Sequence, residues 1–167
     1  PAPEQKAIVR HLYRTALYAL LRYGLRRPDT EHPWIFERCR EAQRGFDGYL
    51  DLWAREHYKS TILTFAGSIF RIIRSHGDGA IEPREVTIGI FSHTKPIAKG
   101  FMRQIKYELE SNEHLQDVFD DIFYANPRKE SPKWTEDEGI TVKRKSNPKE
   151  ATVEAHGLVD GQPTSKH

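Results

Sequence analysis

The chain has 167 residues, 26 of them basic and 24 acidic, so it has the length of one domain and a formal net charge of only +2. This small charge excludes a global field that would drive the protein onto nucleic acid, so any contact with DNA has to come from local patches. The single cysteine, Cys39, excludes an internal disulfide and a zinc site made of several cysteines. No apolar run reaches the roughly 18 residues of a membrane-spanning helix, and we expect an intracellular protein without a signal peptide.

The first 46 residues are predicted to form a helical lead-in. Over residues 4–23, one face of a predicted helix carries the apolar side chains Ile8, Leu12, Ala16, Ala19 and Leu20. Gly24 can end this helix. A second helix is expected over residues 34–44, because Pro33 suits a first helical turn.

The central feature is a stretch over residues 49–61, in which an apolar strand is predicted to lead through a turn into a helix. The turn ends in Lys59-Ser60-Thr61, and an apolar stripe at helical spacing follows, formed by Ile62, Phe65, Ile69, Ile72 and Ile73. N–H groups at a helix start bind phosphate oxygens, a lysine neutralises the outer phosphates, and a hydroxyl reaches Mg²⁺. The stretch therefore predicts a phosphate-binding loop, with Lys59 on the β- and γ-phosphates and Ser60 on Mg²⁺.

Two positions depart from the usual pattern of such a loop, G-x-x-x-x-G-K-[ST]. Trp53 and Tyr58 stand where that pattern has glycine. Glycine is favoured there because the loop visits positive φ angles and because the main chain approaches the phosphates closely. We therefore expect either a strained backbone at Tyr58 or a slightly different loop.

A second strand-helix unit follows the loop helix. The nearly continuous β-branched and aromatic run over residues 86–91 predicts a buried strand. Thr94 can cap the next helix. The exposed face of that helix carries Lys99, Arg103 and Lys106, which can either follow DNA phosphates or simply be solvated.

The last part of the chain is predicted to add a short helix and a hairpin. Asn112 can cap the short helix, and residues 139–144 and 151–156 alternate in polarity as hairpin strands do. The alternation of strands and helices predicts an α/β fold with a mainly parallel sheet. In such a sheet the turn Ser92-His93-Thr94 should lie at the same edge as Lys59.

The loop around Lys59, the unit over residues 86–110 and the segment 134–167 follow one another as in a known family. Together they resemble the ATPase domain of large terminase subunits, the motors that pump DNA into the capsids of tailed bacteriophages. In that family the loop often departs from the glycine pattern, and an arginine four residues before the lysine is typical, as Arg55 is here. The resemblance implies a P-loop NTPase-like three-layer fold with a mainly parallel central sheet, of which residues 47–167 form an incomplete core.

The resemblance also implies the chemistry of the site. ATP and Mg²⁺ are the expected ligands, with Arg55 and Lys59 as catalytic residues and Ser60 as the contact to Mg²⁺. Arg55 is expected to stabilise the charge that develops on the γ-phosphate, the alternative being a structural salt bridge. Nucleotide contacts are expected from Arg55, Glu56, His57, Tyr58, Lys59, Ser60 and Thr61.

The partners implied by the resemblance are double-stranded DNA, a small terminase subunit and the portal of the procapsid. The parent protein is expected to form a ring of identical copies and to work in the host cytoplasm, with no membrane partner. In the family an acidic metal-binding strand and a catalytic carboxylate come next, whereas this sequence stops at His167. We therefore expect ATP hydrolysis by the parent protein and little hydrolysis by this piece alone.

Other interpretations of the same residues remain open. The chain can be a non-catalytic DNA-binding or assembly module, or a P-loop ATPase of the helicase or recombinase type. In the family the segment before the loop lies near the adenine, so Trp34, Phe36 and Arg38 either stack on a base or join the core. A metal-dependent nuclease cluster of Asp47, Asp51 and Glu56 is disfavoured, because its spacing does not match the usual pattern.

Overall fold

A computed structural model describes residues 2–44, 50, 52–54, 56–82 and 84–159. Within these ranges the fold is α/β, with helices packed on a small mixed sheet. The helices are α1 (Pro3–Thr15), α2 (Leu17–Ala19), α3 (Pro33–Gln43), α4 (Gly67–Ser75), α5 (Lys95–Ser111), α6 (Glu113–Val118) and α7 (Pro127–Glu130). There are two π-helical segments: Leu20–Gly24 directly follows α2, and Ser60–Ala66 directly precedes α4. A 3₁₀ turn spans Pro28–Thr30. None of the helices in the described ranges combines the length and the apolar character that a membrane crossing needs.

The predicted first helix is broken at Ala16, whose backbone is extended (φ −133°, ψ 101°). The break changes the phase of the apolar stripe, because residues on either side of it no longer share one helical face. Ile8 and Leu12, which were predicted to pack inward, are 68% and 42% exposed, whereas Leu17 and Leu20 are buried. The continuous inward face over residues 4–23 was therefore wrong.

The other predicted helices are confirmed. The apolar stripe that follows Ser60 is buried from Ile62 to Ile73, and α5 begins directly after Thr94. The Asn112 side chain caps α6 by accepting a hydrogen bond from the Leu115 N–H at 2.9 Å. One hydrophobic core joins the lead-in helices to the rest of the described chain.

The sheet has four strands in the order β1 (Ile88–Ser92), β4 (Val153–Gly157), β3 (Gly139–Ile140) and β2 (Trp134–Thr135). Strands β1 and β4 are parallel, with Ile90 beside Ala155, and both lie against α5. The other two pairs are antiparallel, so the sheet is mixed rather than mainly parallel. The expected hairpin is also shorter, since β3 and β4 pair only at Ile140 and Val153.

The buried strand predicted to lead into the loop is not formed by residues 50 and 52–54, the described part of that stretch. Leu50 and Leu52 are 77% and 83% exposed. A strand forms only where a neighbour supplies partners for its backbone, and β4 is the strand that pairs with β1 in the described sheet. The apolar character of this stretch was therefore insufficient evidence for a strand there.

Candidate phosphate-binding loop

The backbone before Lys59 adopts the conformation that normally requires glycine. Tyr58 has φ 59° and Glu56 has φ 64°, both in the left-handed region. Residues with a Cβ rarely occupy that region, and when they do they often belong to a functional site. The strained backbone expected at Tyr58 is thus present, at the position where the usual loop has its second glycine.

The loop ends at the start of a helix. The carbonyl of Tyr58 accepts a hydrogen bond from the Ile62 N–H at 2.8 Å, and this bond opens the first turn. The N–H groups of Lys59, Ser60 and Thr61 belong to that turn, where no preceding helical turn supplies carbonyl acceptors for them. A helix start also carries a partial positive charge, which favours an anion there.

Lys59 is exposed, and its ammonium forms no ion pair with any residue in the described part of the chain. The hydroxyl groups of Ser60 and Thr61 likewise make no hydrogen bond to the described residues. A lysine and two hydroxyls are therefore presented at the helix start without an internal partner. Arg55, the expected contact to the γ-phosphate, lies outside the described residues.

The helix after the loop begins as a π-helix, which is wider than an α-helix. The Gly67 N–H donates to the carbonyl of Ile62, five residues earlier. A Cβ at position 67 would lie 3.1 Å from that carbonyl oxygen, so the glycine makes room for the wide turn. Short π-helical segments often occur at functional sites, and no feature of the sequence had indicated this one.

A cleft of about 540 Å³ lies beside the loop. Its lining is drawn from the loop and from the start of α3 with the turn before it, and consists of Asp29, Glu31, His32, Trp34, Ile35, Glu56, His57 and Tyr58. The Trp34 ring meets the rings of Trp53 and His57 edge to face, with centroids 5.5 and 5.9 Å apart. The sequence left Trp34 open between stacking on a base and joining the core. It gave no sign of Asp29, Glu31 and His32, because these residues reach the loop only through tertiary packing.

The two other α3 residues named for base contact lie elsewhere. The Arg38 guanidinium stacks on Trp53, 4.3 Å from its centroid, and also pairs with Glu41. The ring of Phe36 packs edge to face on Tyr18 at 5.2 Å. Arg38 thus contacts the Trp53 ring of the loop, and neither Arg38 nor Phe36 lines the cleft.

The two carboxylates that α3 and its preceding turn bring to the cleft are paired with arginines. Asp29 lies 2.8 Å from Arg27, and Glu31 lies 2.7 Å from Arg22. Hydrogen bonding to Arg27 lowers the pKa of Asp29, so this carboxylate stays charged but compensated. The repulsion that an anionic ligand would meet in the cleft is reduced accordingly.

The basic face of α5 is occupied by ion pairs. Lys99 pairs with Asp137, Arg103 with Glu136 at 2.7 Å, and Lys106 with Glu110 at 3.1 Å. These side chains had been considered for contact with DNA. Their charge is neutralised within the protein, so the face is not a free cationic surface.

The nuclease alternative gains no support. Asp47 and Asp51 lie outside the described residues, and Glu56 is exposed. The described residues contain no group of three or more His, Cys, Asp or Glu side chains able to hold a metal ion.

The carboxyl ends of β1 and β4 meet at one edge of the sheet. The Ser92 carbonyl accepts a hydrogen bond from the Leu158 N–H at 2.9 Å, and the His93 carbonyl accepts one from the Val159 N–H at 3.2 Å. The segment Ser60–Ala66 packs on α5, which begins directly after this turn. That the turn shares an edge with Lys59 stays a prediction.

Comparison of the chain with models of protein families, with curated proteins and with solved structures found no match. The site is therefore interpreted from its own geometry.

Proposed function

We propose that this chain is the ATP-binding part of a large terminase subunit, with a P-loop NTPase-like core. The observation that carries the proposal is the left-handed backbone of Tyr58 directly before Lys59. Lys59 stands at a helix start, is exposed and has no ion-pair partner in the described chain. A left-handed residue next to a right-handed one turns consecutive N–H groups toward a common point, which is how backbone nests bind anions. The same position holds glycine in ordinary phosphate-binding loops.

In this proposal the loop holds the triphosphate and the helix start orients it. Lys59 neutralises the β- and γ-phosphates, the first-turn N–H groups bind their oxygens, and Ser60 contacts Mg²⁺. The hydroxyl of Ser60, which bonds to no residue in the described ranges, suits that role. Phosphoryl transfer depends mainly on such positioning and charge neutralisation, and Arg55 is proposed to stabilise the charge that develops on the γ-phosphate.

The cleft beside the loop is proposed to take the base and ribose. It offers the Trp34 ring as an apolar wall, and His57 and Tyr58 connect it directly to the loop. Its volume of about 540 Å³ lies within the usual range for small-ligand sites. On this proposal the partners are double-stranded DNA, a small terminase subunit and the procapsid portal, and a ring of copies works in the host cytoplasm.

The test is ATP binding by the Lys59→Ala variant, measured by titration of a fluorescent ATP analogue in the presence of Mg²⁺. Removing a charged hydrogen-bonding partner costs about 1.5–3 kcal/mol, so we expect affinity to fall about 10- to 100-fold. Lys129→Ala is the matched control, because Lys129 is also exposed and lies on a helix far from the loop in sequence. Its affinity should equal that of the unchanged protein.

ATP binding by the Tyr58→Gly variant is a second, independent measurement. Glycine adopts the observed φ without strain, so ATP binding should be retained. Circular dichroism establishes that each variant is folded. Absence of ATP binding by the unchanged protein, or equal binding by Lys59→Ala, would overturn the proposal and favour the non-catalytic DNA-binding module.

A further inference from the structure

A second feature of the molecule lies away from the loop, in a groove of about 710 Å³. The groove runs between α4 and the segment that leads into β1, with the end of α3 closing one side. Its lining includes the apolar side chains of Phe70 and Val86 together with four arginines, Arg44, Arg71, Arg74 and Arg84.

Three of these arginines form no ion pair with the residues that the structure describes. Arg74 pairs with Glu82 at 2.8 Å. The side chains of Arg44, Arg71 and Arg84 are exposed and make no ion pair or hydrogen bond with any residue in the described ranges. This contrasts with the basic face of α5, where each lysine and arginine considered for DNA contact is neutralised.

The acidic side chains of the groove are engaged elsewhere. Besides the paired Glu82, the lining contains Glu85, which accepts hydrogen bonds from the N–H groups of Lys145 and Ser146 at 2.6 and 2.8 Å. Burial raises the pKa of Glu85, but hydrogen bonds from the Ser146 hydroxyl and from these two N–H groups outweigh it, so the pKa lies below its ordinary value. Its carboxylate is therefore charged but turned to the 145–146 backbone, and the groove keeps an excess of positive charge.

The C-terminal end of α4 also faces this region, and a helix end normally repels anions. Here the buried guanidinium of Arg14 donates to the carbonyls of Ile73 and His76 at 2.6 and 3.0 Å. Those carbonyls are thus bonded to a cation. The helix end offers less repulsion to an anion than its dipole alone would suggest.

We infer that this groove binds the sugar–phosphate backbone of a nucleic acid. Guanidinium groups bind phosphate with two parallel hydrogen bonds, and three of them in one groove suit a polyanion better than a single anion. A groove of about 710 Å³ is too large for one phosphate. The surface is separate from the loop at Lys59, and the inference rests on the proposed function in that it locates the double-stranded DNA partner named there.

The test measures binding of a short fluorescent DNA duplex by anisotropy at several salt concentrations, without ATP. Each phosphate contact contributes about 0.9 to the slope of log K against log salt. Replacing Arg44, Arg71 and Arg84 together by Gln should reduce the magnitude of this negative slope by about 2.7. Binding should weaken on the order of a hundredfold at ~0.1 M salt. The corresponding triple Lys variant keeps the charge and should keep most of the slope.

The control removes the same charge from arginines that are exposed but ion-paired, by replacing Arg40, Arg103 and Arg128 with Gln. Its slope should match that of the unchanged protein. No DNA binding by the unchanged protein, or an unchanged slope in the first triple variant, overturns the inference. Because ATP is absent and Lys59 is intact, that outcome is independent of the proposed ATP site.

Discussion

Replacing Glu110 with Gln tests whether one carboxylate ties three elements together. Its side chain is 14% exposed and accepts hydrogen bonds from Arg128 at 2.9 Å and from the indole N–H of Trp134 at 2.7 Å, while pairing with Lys106 at 3.1 Å. It thereby links α5 to α7 and to β2. Hydrogen bonding to Arg128, helped by Trp134 and Lys106, lowers the pKa of Glu110 from 4.5 to about 2.

The magnitude follows from that pKa. A shift of one pKa unit corresponds to about 1.4 kcal/mol, so without solvent screening the lowered pKa would stabilise the folded state by roughly 3.5 kcal/mol. Arg128 is 71% exposed, and solvent screening of that pair reduces the expected loss in the Gln variant to about 1–2 kcal/mol. Because the folded-state pKa is depressed, this stabilisation is complete above pH 4.5 and is lost as the pH falls toward about 2.

The measurement is urea denaturation followed by tryptophan fluorescence, at neutral pH and at several acidic pH values. The free energy of unfolding of Glu110→Gln should lie below that of the unchanged protein at neutral pH, and the two values should converge as the pH falls. Glu130→Gln is the control, since Glu130 is exposed and has no ion-pair partner in the described chain. A deficit that stays constant with pH, or is absent at neutral pH, would refute the role given to the carboxylate.

Two further predictions concern buried polar groups. Burial raises the pKa of the Cys39 thiol to about 12, so the folded protein should react with a thiol reagent far more slowly than the urea-unfolded chain, and equal rates would contradict the buried position. Asn112→Ala removes the cap of α6 and the hydrogen bond that the Asn112 amide donates to the Gly24 carbonyl at 2.8 Å, so the free energy of unfolding should fall by about 1–3 kcal/mol. Asn147→Ala, in an exposed turn, should leave denaturation unchanged, and a similar loss in both variants would argue against the cap.

Much of the local structure could be predicted from the sequence. The helix that begins at Ser60, the cap at Asn112 and the strand over 88–92 depend on patterns within a few neighbouring residues. The predicted burial of that strand was wrong, because within it only Ile90 is buried and Phe91 is 63% exposed. The strained backbone at Tyr58 was also expected, because a phosphate-binding loop requires positive φ where this chain has no glycine. Such features are encoded locally, since side-chain spacing and capping act over one or two helical turns.

The remaining features depended on contacts between distant segments. Leu50 and Leu52 belong to the apolar stretch that was predicted to be a strand, but a strand needs a backbone partner that local sequence does not specify. The cleft beside the loop requires Trp34 to meet Trp53 and His57, some twenty residues away in sequence. The α5 cations are neutralised by acidic residues, most of them from the segment after α7, whereas Arg44, Arg71 and Arg84 of the groove pair with no residue in the described ranges. Only the tertiary structure distinguishes the two sets, because charge pairing acts through space.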